Sequence, residues 1–367
     1  MPFSILGVGT AVPATTLNRA EGLAIAKSLC CRTPAEEAWL PAMYDGTGIE
    51  RRYTVQPRAV VDDILNGTRE SGSRFLPVQS DGDRGPTTAE RMSAYAEESG
   101  RLAVRAARSA LAHTAVDTAR IGHLVTVSCT GFAAPGVDVE LISALKLPPA
   151  VQRTHIGYMG CHGALNGLRA ARAFAETDPG ALVLVCAVEL CSLHYHYGWD
   201  AGRIVANALF ADGAAAVVGQ ADRGPAGAWR LVASGSCVFP DSRDAMGWTV
   251  GDHGFVMTLS KKVPGLIAEH LRPWLEGWLG GLGLTISVVP SWAIHPGGPR
   301  ILGAVEESLG LLRDRTSESW HVLTQFGNMS SPTVLFILER LRRRNAHLPC
   351  VALGFGPGLA VEAALFQ

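Results

Sequence analysis

Short apolar runs alternate along this chain with longer segments of helical period, and no other feature constrains the fold as strongly. Extended runs read at 3–9 (FSILGVG), 123–129, 181–190 (ALVLVCAVEL), 214–219, 287–296 and 350–356, and helical runs at 89–111, 161–176, 264–279, 299–309 and 331–344. Strands apolar on both faces need cover on both sides, and helices lying between them in sequence supply it, so the spacing predicts an α/β fold. Residues 66–86, rich in Gly, Pro and Asp, read as a surface loop or insertion. The stretch 219–228 (GQADRGPAGA) reads as a linker between halves 1–220 and 229–367, each closing on a strand-rich, glycine-containing segment. No strict repeat relates the halves.

A chain of 367 residues, 47% hydrophobic, is long enough for a large core and too long for one simple domain. Its formal net charge of −1, with signs interspersed, gives no polyanion-binding surface, which sets nucleic acid aside as a partner. The basic run Arg340, Arg342, Arg343, Arg344 ends a helical segment, where it complements the C-terminus. The longest uncharged run, 277–299, is broken by glycines, Pro290 and His295 and reads as helix end, loop and strand, not as a membrane span. Eight cysteines without repeating spacing and no signal peptide read as reduced thiols of a cytoplasmic protein. GVGTAV lacks the third glycine of a dinucleotide fingerprint. Cys191, His194 and His196 lack paired metal-ligand spacing, and Asp212-Gly213 reads as a turn.

Within GYMGCHGALNG, Cys161 sits among small residues where an extended segment, 151–156, gives way to a helical one. A small buried hydrophobe fits that context, and so does a nucleophile. At a helix start the dipole and free N–H groups stabilise thiolate, so the thiol is expected to titrate well below its ordinary value of about 8.5. A thiolate nucleophile needs a base and an oxyanion donor. His295 closes an apolar run before the tight loop Pro296-Gly297-Gly298-Pro299, and Asn328 lies in a glycine-containing turn (QFGNMSSP) that opens a helix. Singly each also fits a capped turn or a buried polar group. Together they describe Cys–His–Asn.

GYMGCHGALNGLR, ALFADGAAAVV, WAIHPGGPRIL, FGNMSSPTVLFILE and GFGPGLAVEAALF, in this order and spacing, resemble the type III polyketide synthases, the chalcone and stilbene synthase superfamily, over nearly the whole chain. The resemblance implies a thiolase-like fold, with two similar halves in an α-β-α-β-α arrangement, and a homodimer. It implies an acyltransferase that loads a starter from acyl-CoA onto Cys161. Iterative decarboxylative condensation with malonyl-CoA follows, then cyclisation to a resorcinol, pyrone or related aromatic product. His295 and Asn328 would form the oxyanion hole, and His295 would keep the cysteine ionised. Phe210 matches a gatekeeper, Met257 replaces a second gatekeeper phenylalanine, and a flexible methionine there suits a long or aliphatic starter. Cys129, Cys191, His194 and Trp248 fall at pocket positions. Ser330 and the run Gly354, Phe355, Gly356, Pro357, Gly358 join them as substrate-binding residues. The chemistry calls for no metal, nicotinamide or flavin.

Arg300 keeps the charge of a coenzyme A-contacting lysine, whereas 39–46 (WLPAMYDG) lacks most of the basic residues that plant relatives use. Arg51 and Arg52 would compensate, and an acyl-carrier-protein donor stays compatible. Ala134 replaces a methionine that reaches into the partner's cavity. These departures, with the 66–86 insertion, resemble bacterial members. The rival readings are a ketoacyl-ACP synthase III, which DGTGIERR (45–52) resembles, a non-catalytic acyl-binding homologue, and a cysteine hydrolase.

Overall fold

The computed structural model describes residues 2–78, 80, 82–112, 114–221 and 227–367. The strands among them are β1 Phe3–Ala11, β2 Thr15–Asn18, β3 Arg51–Thr54, β4 Ile121–Ser128, β5 Gln152–Gly157, β6 Leu182–Leu190, β7 Asp212–Ala221, β8 Arg230–Val238, β9 Met246–Gly251, β10 Gly254–Leu259, β11 Ser291–Ile294, β12 Cys350–Gly356 and β13 Ala360–Phe366. A large mixed sheet runs β11-β12-β13-β8-β1-β7-β6-β4-β5, and β10-β9 and β2-β3 form two small ones. The large sheet is two half-sheets joined narrowly: β1 meets β8 only through Phe3↔Leu231 and Ser4↔Arg230.

The apolar clusters give the layers. Helices Gly163–Thr177 and Thr333–Arg343 lie between the half-sheets, in one core that takes Val125 and Val185 from the first half and Ala293 and Ala352 from the second. Helices Thr88–Leu111 and Val137–Leu145 cover the outer face of the first half, and Val263–Gly280 and Pro299–Leu309 that of the second. Helix–sheet–helix–sheet–helix is the expected arrangement, a large sheet flanked by helices. Local chemistry fixes its members. Thr87 and Glu90 close a capping box at the start of Thr88–Leu111, and Pro299 opens a helix that Gly310 ends in a left-handed cap.

Several expectations need correction. The run 287–296 yields only the four-residue β11, because a 3₁₀ turn, Ile286–Val288, and Pro290 precede it. The helix after Cys161 begins at Gly163, behind a 3₁₀ turn, Gly160–His162. Asp212-Gly213 is no turn: it opens β7, with the Asp212 carboxylate fully buried and accepting from the N–H groups of Ser192 and Val55 at 2.7 Å. Of the linker 219–228, residues 222–226 lie outside the described residues, and Gly219–Ala221 belong to β7. The 66–86 segment, apart from Gln79 and Asp81, which also lie outside, carries no strand or helix beyond Asn66. It is anchored by buried Phe75 and Leu76 and by the Tyr197 hydroxyl donating to the Phe75 carbonyl at 2.6 Å.

Candidate active site

Cys161 stands on the turn between β5 and the central helix Gly163–Thr177. That turn needs a left-handed residue and a close approach at once. Gly160 has φ of +73°, and a Cβ there would lie 2.4 Å from the Pro357 ring. Across the turn β12 comes as near, since a Cβ on Gly356 would meet the His162 ring at 2.5 Å. Gly354 and Gly356 thus serve the site from one layer back, while Phe355 and Pro357 line its cavities. Gly358 supplies a left-handed turn between β12 and β13.

His295 follows β11, and its N–H donates to the Leu353 carbonyl of β12 at 2.8 Å. Its ring is buried, and neither nitrogen has a hydrogen-bond partner in the protein. Burial, with a smaller effect of the neighbouring His162, pushes its pKa down to about 3, so the imidazole is neutral. Asn328 pairs with Phe210 as an isolated bridge; its N–H donates to the Leu209 carbonyl and its carbonyl accepts from the Ala211 N–H, each at 2.9 Å. Its side-chain oxygen accepts from the Ser330 N–H at 2.8 Å, which fixes the amide orientation. The amide nitrogen donates to the Gly297 carbonyl at 3.3 Å. Cys161, His295 and Asn328 therefore line one space, brought there by three separate chain segments.

The thiol itself departs from expectation. Burial pushes the Cys161 pKa up to about 11, against hydrogen bonds from Ser330 and Asn328 that lower it. A helix terminus is worth about 1 kcal/mol, less than one pKa unit, whereas burial can move a group by several. Burial thus disfavours the charged form of both groups, the thiolate and the imidazolium. Alkylation of Cys161 by iodoacetamide should accordingly climb with pH from about 8 upward, because the thiolate fraction grows only as pH approaches a raised pKa. A rate already level at pH 7 would mean that His295 holds the proton as an ion pair.

Two cavities meet at Cys161. The space holding His295 and Asn328 runs past Leu209, Ile301 and Leu259; the other, which is larger, is lined by Cys129, Cys191, His194, Trp248 and Ser330. Phe210 and Met257 border both, as do Met246 and Ala206, so the two expected gatekeepers stand on the partition. His194, Phe255 and Trp248 stack in series, with centroids 4.2 and 5.1 Å apart. The His194 ring is wall, not ligand: Nδ1 accepts from the Phe255 N–H at 3.0 Å and Nε2 donates to the Thr130 carbonyl at 2.6 Å. No group of metal-ligating side chains occurs among the described residues.

Motifs do not point to Glu189, although one acid inside ALVLVCAVEL is the signal that marks it. Its buried carboxylate accepts from the N–H groups of Cys129 and Thr130 at 2.9 and 3.0 Å and from the Ser331 hydroxyl at 2.5 Å. It ties the loop after β4 to the Asn328 loop. Burial raises its pKa.

Family models for the N-terminal and C-terminal domains of chalcone and stilbene synthases match residues 2–223 and 230–367. The chain belongs to this family of type III polyketide synthases. It is 32% identical to the alpha-pyrone synthesis polyketide synthase-like Pks18 of Mycobacterium tuberculosis, over 99% of this chain and 90% of that protein. Polyketide synthase 37 of Dictyostelium discoideum is 33% identical over 76% of the chain, which corresponds to 10% of that much longer protein. PKS-I of the brown alga Ectocarpus siliculosus superposes with a TM-score of 0.91 at 31% identity, over 100% of this chain and 98% of that one. The C-terminal type III domain of Steely1 from Dictyostelium superposes with 0.88 at 26%, over 100% and 99%. The ketoacyl synthase III reading gives way to this membership. The synthase is a condensing acyltransferase whose family uses coenzyme A thioesters, and none of its described helices is long and apolar enough to cross a membrane.

One expected coenzyme A contact must be withdrawn. Arg52 lies on the inward side of β3, 4% exposed, and its guanidinium donates to the carbonyls of Asn207 and Phe210 and to the Tyr195 hydroxyl. Its neighbour Arg51 and the more distant Arg300 are exposed. Arg52→Met should destabilise the synthase by about 3 kcal/mol, since a charged donor loses several buried acceptors. Turnover of acyl-CoA and of the phosphate-free acyl-N-acetylcysteamine thioester should fall by the same factor. A loss confined to the coenzyme A substrate would put Arg52 back at the phosphates.

Proposed function

We propose that the synthase loads an acyl starter onto Cys161 and extends it repeatedly with malonyl-CoA before ring closure. The observation that carries this reading is Cys161 at the meeting point of two cavities, facing a neutral histidine with both nitrogens free and an amide with fixed orientation. In loading, the Cys161 thiol passes its proton to His295 as sulfur attacks the starter thioester, and His295 returns it to the departing coenzyme A thiolate. In extension, malonyl-CoA loses carbon dioxide, and the enolate oxygen takes hydrogen bonds from His295 and Asn328. The enolate carbon then attacks acyl–Cys161, expelling the thiolate and giving a chain longer by two carbons on coenzyme A. No metal, nicotinamide or flavin enters these steps.

Exposed Arg300 and Arg51 are the cations we assign to coenzyme A, with an acyl carrier protein as the alternative donor. Met246, Met257, Cys129 and Cys191 give the larger cavity an apolar, compliant lining suited to an aliphatic starter, and the relative named for alpha-pyrone synthesis favours a pyrone product. A homodimer is supported by the exposed edge strand β5 beside Phe132, 52% exposed, Tyr158, 55% exposed, and exposed Ala134. Eight free thiols suit a reducing compartment such as the cytoplasm.

The test supplies purified protein with radiolabelled malonyl-CoA and acyl-CoA starters from short to long and aromatic, with products read by mass spectrometry. Products holding two or more malonyl-derived units are expected. A single condensation, or free acid without condensation, would overturn the reading.

A further inference from the structure

The β9–β10 hairpin contributes Met246, Trp248, Phe255 and Met257 to the cavity, yet neither strand joins the large sheet. A two-stranded ribbon is marginal by itself, so its position depends on what ties it down. At the tip, the Thr88 hydroxyl donates to the Gly251 carbonyl and accepts from the Gly254 N–H at 2.8 Å, while the Thr88 N–H donates to the Asp252 carbonyl at 2.8 Å. Midway, His194 accepts the Phe255 N–H, stacks on its ring, and donates to the Thr130 carbonyl beside Cys129.

We propose that Thr88 and His194 are positioning residues that hold this hairpin against the N-terminal half and thereby set how many extensions the cavity permits. The inference rests on the iterative synthase reading above. A growing chain folds between a floor made by the large sheet's loops and a roof made by the hairpin, and extension stops when the space is filled. Thr88 does not line the cavity, and its hydroxyl bonds only the hairpin, so an effect of removing that hydroxyl on product length is indirect and points to the hairpin.

Full-length Thr88→Val and His194→Phe proteins, compared with wild type on hexanoyl-CoA and malonyl-CoA, test this. Valine keeps the threonine shape and removes both hydroxyl bonds; phenylalanine keeps the stack on Phe255 and removes both imidazole bonds. Losing two hydrogen bonds raises the released hairpin population by roughly ten- to thirtyfold. Products carrying one more extension should rise by about the same factor in each variant. Loading of Cys161 in Thr88→Val should stay within about twofold of wild type, since no catalytic group moves. His194→Gln, which retains an acceptor and a donor, should fall closer to wild type than His194→Phe. Folded Thr88→Val and His194→Phe proteins that both give the wild-type product distribution would overturn the proposal. A wild type that makes no multiply extended product would overturn the synthase reading itself, and the hairpin assignment with it.

Discussion

Cys161→Ala is expected to end polyketide formation, with a loss of roughly 10⁴-fold or more, while malonyl-CoA decarboxylation stays measurable. On the proposed reading the sulfur carries the acyl chain, and alanine offers no atom to attack the starter thioester. The donors proposed for decarboxylation, His295 and Asn328, reside elsewhere, on the loops after β11 and before helix Thr333–Arg343, so they survive the change. Intact-mass spectrometry after acyl-CoA treatment gives the direct readout: wild type gains the acyl mass and the variant does not. A Cys161→Ala protein that still builds extended products would move the nucleophile to another of the cavity thiols, Cys129 or Cys191.

Asn328→Ala should lower malonyl-CoA decarboxylation by about 10²–10³-fold, the usual cost of losing one preorganised donor to a developing oxyanion. Cys161 should remain alkylatable, which separates a lost donor from a collapsed site. Asn328→Asp tests the same point with less disturbance. It keeps an oxygen for the Ser330 N–H but cannot donate, and its added charge opposes the enolate, so its loss should be at least as large. Undiminished decarboxylation in both variants would leave His295 as the only donor and remove the role given to Asn328.

What the sequence makes legible follows from how local its causes are. The helix Pro299–Leu309 and the strand Cys350–Gly356 lie where their patterns place them, because proline, glycine and unbroken apolar residues act within a few positions. The β9–β10 hairpin leaves no such trace: its residues face a cavity, and cavity walls obey a shape set by distant segments. Arg52 shows the other limit. Beside Arg51 it reads as half of a basic pair, yet strand alternation turns one guanidinium to solvent and the other under Phe210. Asp212 reads as a turn residue for the same reason; only its remote partners, Ser192 and Val55, make it a strand residue. Cys161, His295 and Asn328, which line one space, were legible because each sits in a short motif, whereas the upward shift of the thiol was not, since it is decided by how much protein closes over the turn.

The narrow join between the half-sheets bears on the life of the polypeptide before it is an enzyme. Cys161 belongs to the first half, and His295 and Asn328 belong to the second. A nascent or half-denatured chain therefore holds Cys161 without His295 and Asn328 beside it. Chemical competence arrives only when helices Gly163–Thr177 and Thr333–Arg343 meet in the shared central layer. On the reading proposed above, condensing activity reports on assembly, because a chain whose two halves have not met lacks part of the set that would act on a thioester.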